Sequence, residues 1–168
     1  MAVKPIVIYG DPILREVSKK VEIIDQEIKD LVSDMIDTLK NAQGLGLAAV
    51  QVGVLKRVFI EDLSAVDITE NIRVFINPEI IETSGLIEYE EGCLSIPGIY
   101  QKVTRAATVK VRALDLDGKE FEFVASGLAA RAILHEYDHL EGKLFLDYLS
   151  PLTKTMLKGR LKKLSQAS

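Results

Sequence analysis

Leu134-His135-Glu136-Tyr137-Asp138-His139-Leu140 is the stretch on which the reading of this chain turns. In a helix, residues four apart share a face and stand one turn apart, roughly 6 Å along the axis. His135 and His139 would then aim both imidazoles at one ion, while Glu136, turned by about 100°, flanks it. A divalent metal acidifies a bound water until hydroxide forms near neutral pH, and an adjacent Glu can take that water's proton and later deliver it to a leaving group. The alternative is an exposed helix turn whose charged residues face water.

Outward from this helix the pattern alternates between helix and strand signals. Ser126 is placed to cap the motif helix, which runs through Leu140 to a stop at Gly142. Before it, Thr108–Leu114 and Glu120–Val124 read as a hairpin turning at Asp117-Gly118. Val58–Ile60, Ile72–Asn77 and Glu79–Thr83 read as short strands, the last two separated by Pro78 and ended by Gly85. From about Gln26 to Gln43 the residues Ile28, Leu31, Val32, Met35, Ile36 and Leu39 recur at helical spacing, with Asp25 as N-cap and Gly44 as stop. A basic helix is expected over Leu152 to Leu164. The expectation is an α+β fold: mostly antiparallel strands in the middle packed around the central motif helix, with an N-terminal and a C-terminal helix.

The bulk properties fit one catalytic domain over 1–168. Hydrophobic residues make up 48% of the chain and charged residues 27%, an ordinary globular balance. The net charge of −4 recruits neither DNA nor an anionic membrane. No run approaches the roughly 18 apolar residues of a membrane span, and the start carries no signal-peptide pattern. The expected location is the cytoplasm, with the lone cysteine reduced. Charge is uneven: Lys154, Lys158, Arg160, Lys162 and Lys163 are not offset by any acid after Ser150.

Scarcity sharpens the metal reading. The only two histidines are both in the motif, and the only cysteine, Cys93, sits in Glu91-Gly92-Cys93-Leu94-Ser95. A catalytic site with three protein ligands and an open position would take Cys93 as the third. A buried cysteine packing as a small hydrophobe is the plain alternative. Gly92 would let backbone approach the ion. A third segment, Gly44-Leu45-Gly46-Leu47-Ala48-Ala49-Val50-Gln51, ends an apolar run in an amide. Gln51 suits a developing oxyanion, although a glycine-rich stretch after a helix is also read as a simple turn.

Together these segments resemble the peptide deformylases, whose signatures Gly-x-Gly-x-Ala-Ala-x-Gln, Glu-Gly-Cys-x-Ser and His-Glu-x-x-His stand here in order at Gly44–Gln51, Glu91–Ser95 and His135–His139. The resemblance implies removal of the formyl group from N-formyl-methionyl nascent chains. It implies Cys93, His135 and His139 as metal ligands, and Glu136 as general acid/base to a metal-bound hydroxide. Gln51 and the backbone N–H of Leu94 would hold the oxyanion. It implies Fe(II), with zinc, nickel or cobalt able to occupy the site; ligand chemistry alone points to zinc. Leu128 and Ala132 precede His135 on much the same helix face and, with Leu45 and Gly46, would wall the methionine pocket, beside Glu91 and Gly92. Those two aliphatic residues are equally ordinary core. Glu91 and Arg105 would pair to brace the cysteine loop, with a solvated charge at each as the alternative. The basic C-terminal segment is either a solvated face or a contact with the ribosome.

Two positions depart from the family pattern: Val50, often Pro, and Leu134, commonly Gln. They put the tuning of the site and its rate in question. A zincin-type metalloprotease shares the helix motif but takes a downstream third ligand, and no histidine follows His139. A structural metal module would need four protein ligands.

Overall fold

A computed structural model describes residues 2–65 and 71–167. Helix α1 covers Gln26–Ala42, and the Asp25 carboxylate accepts the Ile28 N–H at 3.1 Å, which makes Asp25 the N-cap. Ile28, Val32, Met35 and Leu39 are buried on its inner face against Leu47, Val58, Ile60 and Ile76. The expected stop at Gly44 is displaced by one residue. Gln43 itself turns left-handed (φ 57°), and its N–H caps the carbonyls of Leu39 and Lys40. Gly44 is small for another reason: a Cβ there would lie 2.9 Å from the Leu94 side chain.

Five antiparallel strands form the main sheet in the order β1 (Gly46–Ala48), β2 (Val58–Asp62), β3 (Ile72–Ser84), β6 (Thr108–Leu114) and β7 (Glu120–Ser126). Strands β4 (Ile87–Cys93) and β5 (Ile96–Arg105) make a separate two-stranded sheet. Pro78 does not break β3. Asn77, at φ 51°, opens a bulge beside it, and its side chain accepts from the Val21 N–H (2.8 Å) and donates to the Val21 carbonyl (2.9 Å). The missing proline N–H therefore falls where the ladder is already interrupted.

Helix α2 (Gly127–Leu140) lies between the two sheets. Ser126 precedes it without a side-chain cap; its hydroxyl instead meets the Thr108 hydroxyl at 3.2 Å. On the sheet side, Ala130, Ile133 and Leu140 pack into a cluster with Phe59, Phe75, Val109 and Val111. The Phe59 and Phe75 rings stack at 4.7 Å, and burying a side chain of this size contributes about 1.5–3 kcal/mol. Helix α3 (Pro151–Ala167) outruns its expected span and buries Leu157 against Ile96, Ile99, Val103 and Phe145. Before α1, the chain laces the site together. The Val7 N–H donates to the Gln51 carbonyl and the Tyr9 N–H to the Ser95 carbonyl, each at 2.8 Å. No helix among the described residues is long and apolar enough to cross a membrane.

Candidate metal centre

Two elements bring the sulfur and imidazoles together. His135 and His139 project from one face of α2, with Nε2 atoms 3.3 Å apart. Cys93 closes β4, and its Sγ lies 3.4 Å from His139 Nε2. One donor atom from each residue lies within 4.8 Å of the others. An ion at ~2.1 Å from nitrogen and ~2.3 Å from sulfur in tetrahedral geometry spaces its ligands roughly 3.3–3.6 Å apart. The donor set therefore fits a divalent transition metal and leaves a fourth position open. A Cβ on Gly92 would sit 2.5 Å from the Tyr100 ring, so the glycine also makes room for that side chain.

Behind the ligands lies a buried ionic cluster. Arg105 donates through Nε to Glu91 Oε1 (2.8 Å) and through Nη2 to Oε2 (2.7 Å), the bidentate pair that the resemblance implied. Arg131 adds a bond to Glu91 Oε1 (2.9 Å) and another to the Ile87 carbonyl (2.7 Å). His135 Nδ1 lies 2.6 Å from Glu91 Oε2. With a carboxylate as acceptor, Nδ1 carries the proton and Nε2 keeps its lone pair toward the ion position. Arg105 Nη1 and the Tyr148 hydroxyl both donate to Asp138 Oδ2, at 2.8 and 2.7 Å.

Electrostatics follow from this crowding. Burial would raise the Glu91 carboxyl, but Arg105 and His135 outweigh it and hold it well below the usual carboxylate range. Burial disfavours a charged His135, yet Cys93, Glu136 and Glu91 draw positive charge onto it and push its pKa well up. The same field attracts a metal cation, so proton and metal compete for this imidazole. His139 goes the other way, lowered by burial and then by His135 and Arg105.

Gln51 follows β1 in a short 3-10 turn, Ala49–Val52, and is 1% exposed. Its Oε1 accepts the Ala48 N–H at 3.0 Å, and its Nε2 donates to Ser95 Oγ at 3.1 Å and lies 3.7 Å from Cys93 Sγ. The amide is thus held oxygen-inward with its N–H group toward the cysteine. Leu94 occupies the turn between β4 and β5. Glu136 is buried, and burial above all lifts its carboxyl to about 7, with Glu91 and Asp138 adding to the rise and His135 and Arg105 opposing it.

A cavity of about 400 Å³ opens beside these groups, within the usual size of a small-ligand site. Leu45, Gly46, Glu91, Gly92, Leu128 and Ala132 all line it, with Gln51, Cys93, Leu94, His135 and Glu136. His139 does not reach its wall and stays 1% exposed behind the others. Glu91 borders the cavity with both carboxylate oxygens already engaged. Three contributors were not read from the sequence: Arg131 and Asp138, which look like solvated helix charges, and Glu61, a strand-end acid that proves wholly buried. The helical spacing of Arg131 to His135 was the signal available for the first.

A family model described as Polypeptide deformylase matches residues 3–155. A protein of Stutzerimonas stutzeri (strain A1501) named peptide deformylase is 50% identical over 165 residues, 98% of this chain and 97% of that one. The crystal structure of a peptide deformylase from Legionella pneumophila superposes with a TM-score of 0.91 at 43% identity, covering 99% of this chain and 97% of the other. That of peptide deformylase from Ehrlichia chaffeensis in complex with actinonin gives 0.90 at 40% identity, over 97% and 98%.

Proposed function

The chain belongs to the polypeptide deformylase family, and on that premise we propose that it removes the formyl group from the N-terminal formyl-methionine of nascent proteins, with 1–168 acting as one catalytic domain. It is a hydrolase of the formamide C–N bond. The observation that carries the site assignment is the convergence of Cys93 Sγ with the His135 and His139 Nε2 atoms beside a buried carboxylate and a fixed amide. Cys93, His135 and His139 would hold the ion. A divalent metal supplies a Lewis acid there, acidifying water and polarising the formyl oxygen. Iron(II) is the ion we assign from the family; zinc suits the same donors, and nickel or cobalt can occupy them in purified protein.

The chain's own residues do the rest. Glu136 takes the proton of the attacking water and passes it to the departing amine nitrogen; a carboxyl lifted to about 7 is matched to both transfers at neutral pH. Gln51 Nε2 and the Leu94 N–H donate to the formyl oxygen as negative charge builds on it. Leu45, Gly46, Leu128 and Ala132 receive the methionine side chain, and the backbone around Glu91 and Gly92 lies alongside the peptide. Release of formate from a formyl-Met peptide by anaerobically purified protein, with metal analysis of the same sample, tests the reading. We expect about one metal per chain and a roughly 10²–10⁴-fold loss of kcat in Glu136→Ala. Folded, fully metallated protein that leaves the formyl group in place would overturn it.

Such a substrate puts the enzyme beside translating ribosomes in the cytoplasm. The face of α3 that carries Lys154, Lys158 and Lys162 borders a groove of about 470 Å³ that suits an anionic RNA surface, although Arg15 in the same groove is paired with Asp147 at 2.8 Å. Arg160 is engaged elsewhere, donating to the Gly98 carbonyl at 2.6 Å. Removing α3 would take Leu157 with it, expose the Ile96, Ile99, Val103 and Phe145 surface that it covers, and so confuse the outcome. Charge reversal at Lys154 and Lys158 is the cleaner test, and undiminished ribosome co-sedimentation would eliminate this partner.

A further inference from the structure

Gly46 and Glu61 stand directly opposite each other in the β1–β2 ladder, so whatever occupies the space above Gly46 is shared between the two strands. A Cβ on Gly46 would lie 2.6 Å from Glu61 Oε2 and 2.8 Å from Glu136 Oε2. The absent side chain is thus replaced by two carboxylates reaching toward one point from opposite elements. Glu61 is completely buried, and its neighbours Val58, Phe59 and Ile60 on β2 are equally inaccessible. Among the described residues neither Glu61 oxygen has a hydrogen-bond partner, nor has Glu136 Oε1. Two ionised carboxylates converging on one buried point would repel, whereas one proton held between them removes that repulsion and engages one oxygen of each.

We propose that Glu61 is a positioning residue of this site: a neutral carboxylic acid whose O–H donates to the Glu136 carboxylate and fixes its direction. Burial, and after it the nearby Glu136, push the Glu61 carboxyl well above the ordinary range, against a smaller pull from His135. The donor role needs the proton, not the charge, so an amide can replace it. This inference rests on the acid/base role given to Glu136.

The test compares the parent with Glu61→Gln and Glu61→Met, each loaded to equal metal content. Infrared difference spectra of the parent against Glu61→Gln, taken in mildly alkaline buffer where Glu136 is ionised, should show a protonated-carboxyl C=O band in the parent that disappears in Glu61→Gln. In deformylation, Glu61→Gln should stay within about threefold of the parent kcat, while Glu61→Met loses roughly ten- to a hundredfold in kcat with KM unchanged, the worth of one hydrogen bond to a charged group. A Glu61→Met enzyme with parental kcat, a Glu61→Gln enzyme as slow as Glu61→Met, or an unchanged infrared band would each overturn the proposal. If the parent releases no formate, the functional reading fails while the infrared band still decides the state of Glu61.

Discussion

Helix α2 is buried on two sides by unlike means. Toward the five-stranded sheet it presents Ala130, Ile133 and Leu140 to stacked phenylalanines and valines. Toward β4 and β5 it presents Arg131, His135 and Asp138 to Glu91 and Arg105. The first side is held by close packing, whose loss is graded by the volume removed. The second is held by charges that are stable only as a complete set, because one missing partner leaves another ion buried alone. The sheet side anchors the helix, and the ionic side sets the direction of the His135 ring.

The sharpest way to break this contrast is Glu91→Gln, which changes almost no volume but takes the carboxylate from Arg131 and leaves Arg105 with Asp138 alone. We expect a loss of about 3–5 kcal/mol in denaturant unfolding. Metal affinity should fall roughly ten- to a hundredfold, since the His135 ring loses its oriented acceptor. A variant with parental stability would show that the cluster is dispensable to the fold. On the apolar side, Ile133→Val removes one methylene and should cost only about 0.5–1.5 kcal/mol, with kcat unchanged. A kcat loss larger than the stability loss would mean that the packed side also steers the site.

Smallest of all is the exposed counterpart of the ionic cluster, Glu122 on β7 with Arg112 (3.2 Å) and Lys110 (3.5 Å) on β6. Arg112 and then Lys110 lower its carboxyl pKa, with slight opposition from desolvation. A lowered folded-state value means that its contribution is present above the ordinary carboxylate range and is lost as pH falls through it. Glu122→Gln should therefore produce a barely measurable drop in thermal midpoint at neutral pH and none in acid. An effect as large as that of Glu91→Gln would erase the distinction between buried and exposed ion pairs.

What could be read in the chain, and what could not, follows the same division. Helix α1 and the β6–β7 hairpin were legible because one face of each is apolar at a regular period. The motif helix was legible through its histidines and glutamate. Strands β4 and β5 went unread: Ile87, Glu88, Tyr89 and Glu90 are all exposed, so no apolar stripe marks the strand, and Pro97-Gly98 looks like a turn although it lies within β5. Pro78 was misread because the bulge at Asn77 depends on Val21, more than fifty residues away. The donor atoms of the proposed metal site were visible by their rarity, whereas Arg131 and Glu61 were not. A charged residue on a helix or at a strand end ordinarily meets water, and only the assembled fold shows that these do not.

The lacing of Val7 and Tyr9 to Gln51 and Ser95 has a practical corollary. The centre draws on the opening residues, on both middle segments and on a helix that ends at Leu140. No contiguous piece that begins after Val7 or stops before His139 carries the whole of it, and a copy still under synthesis lacks the full donor set until His139 has emerged. Proteolytic nicking anywhere between Val7 and His139, followed by separation of the pieces, is expected to leave neither piece with the whole of the centre, so cleavage there silences a molecule outright instead of dimming it.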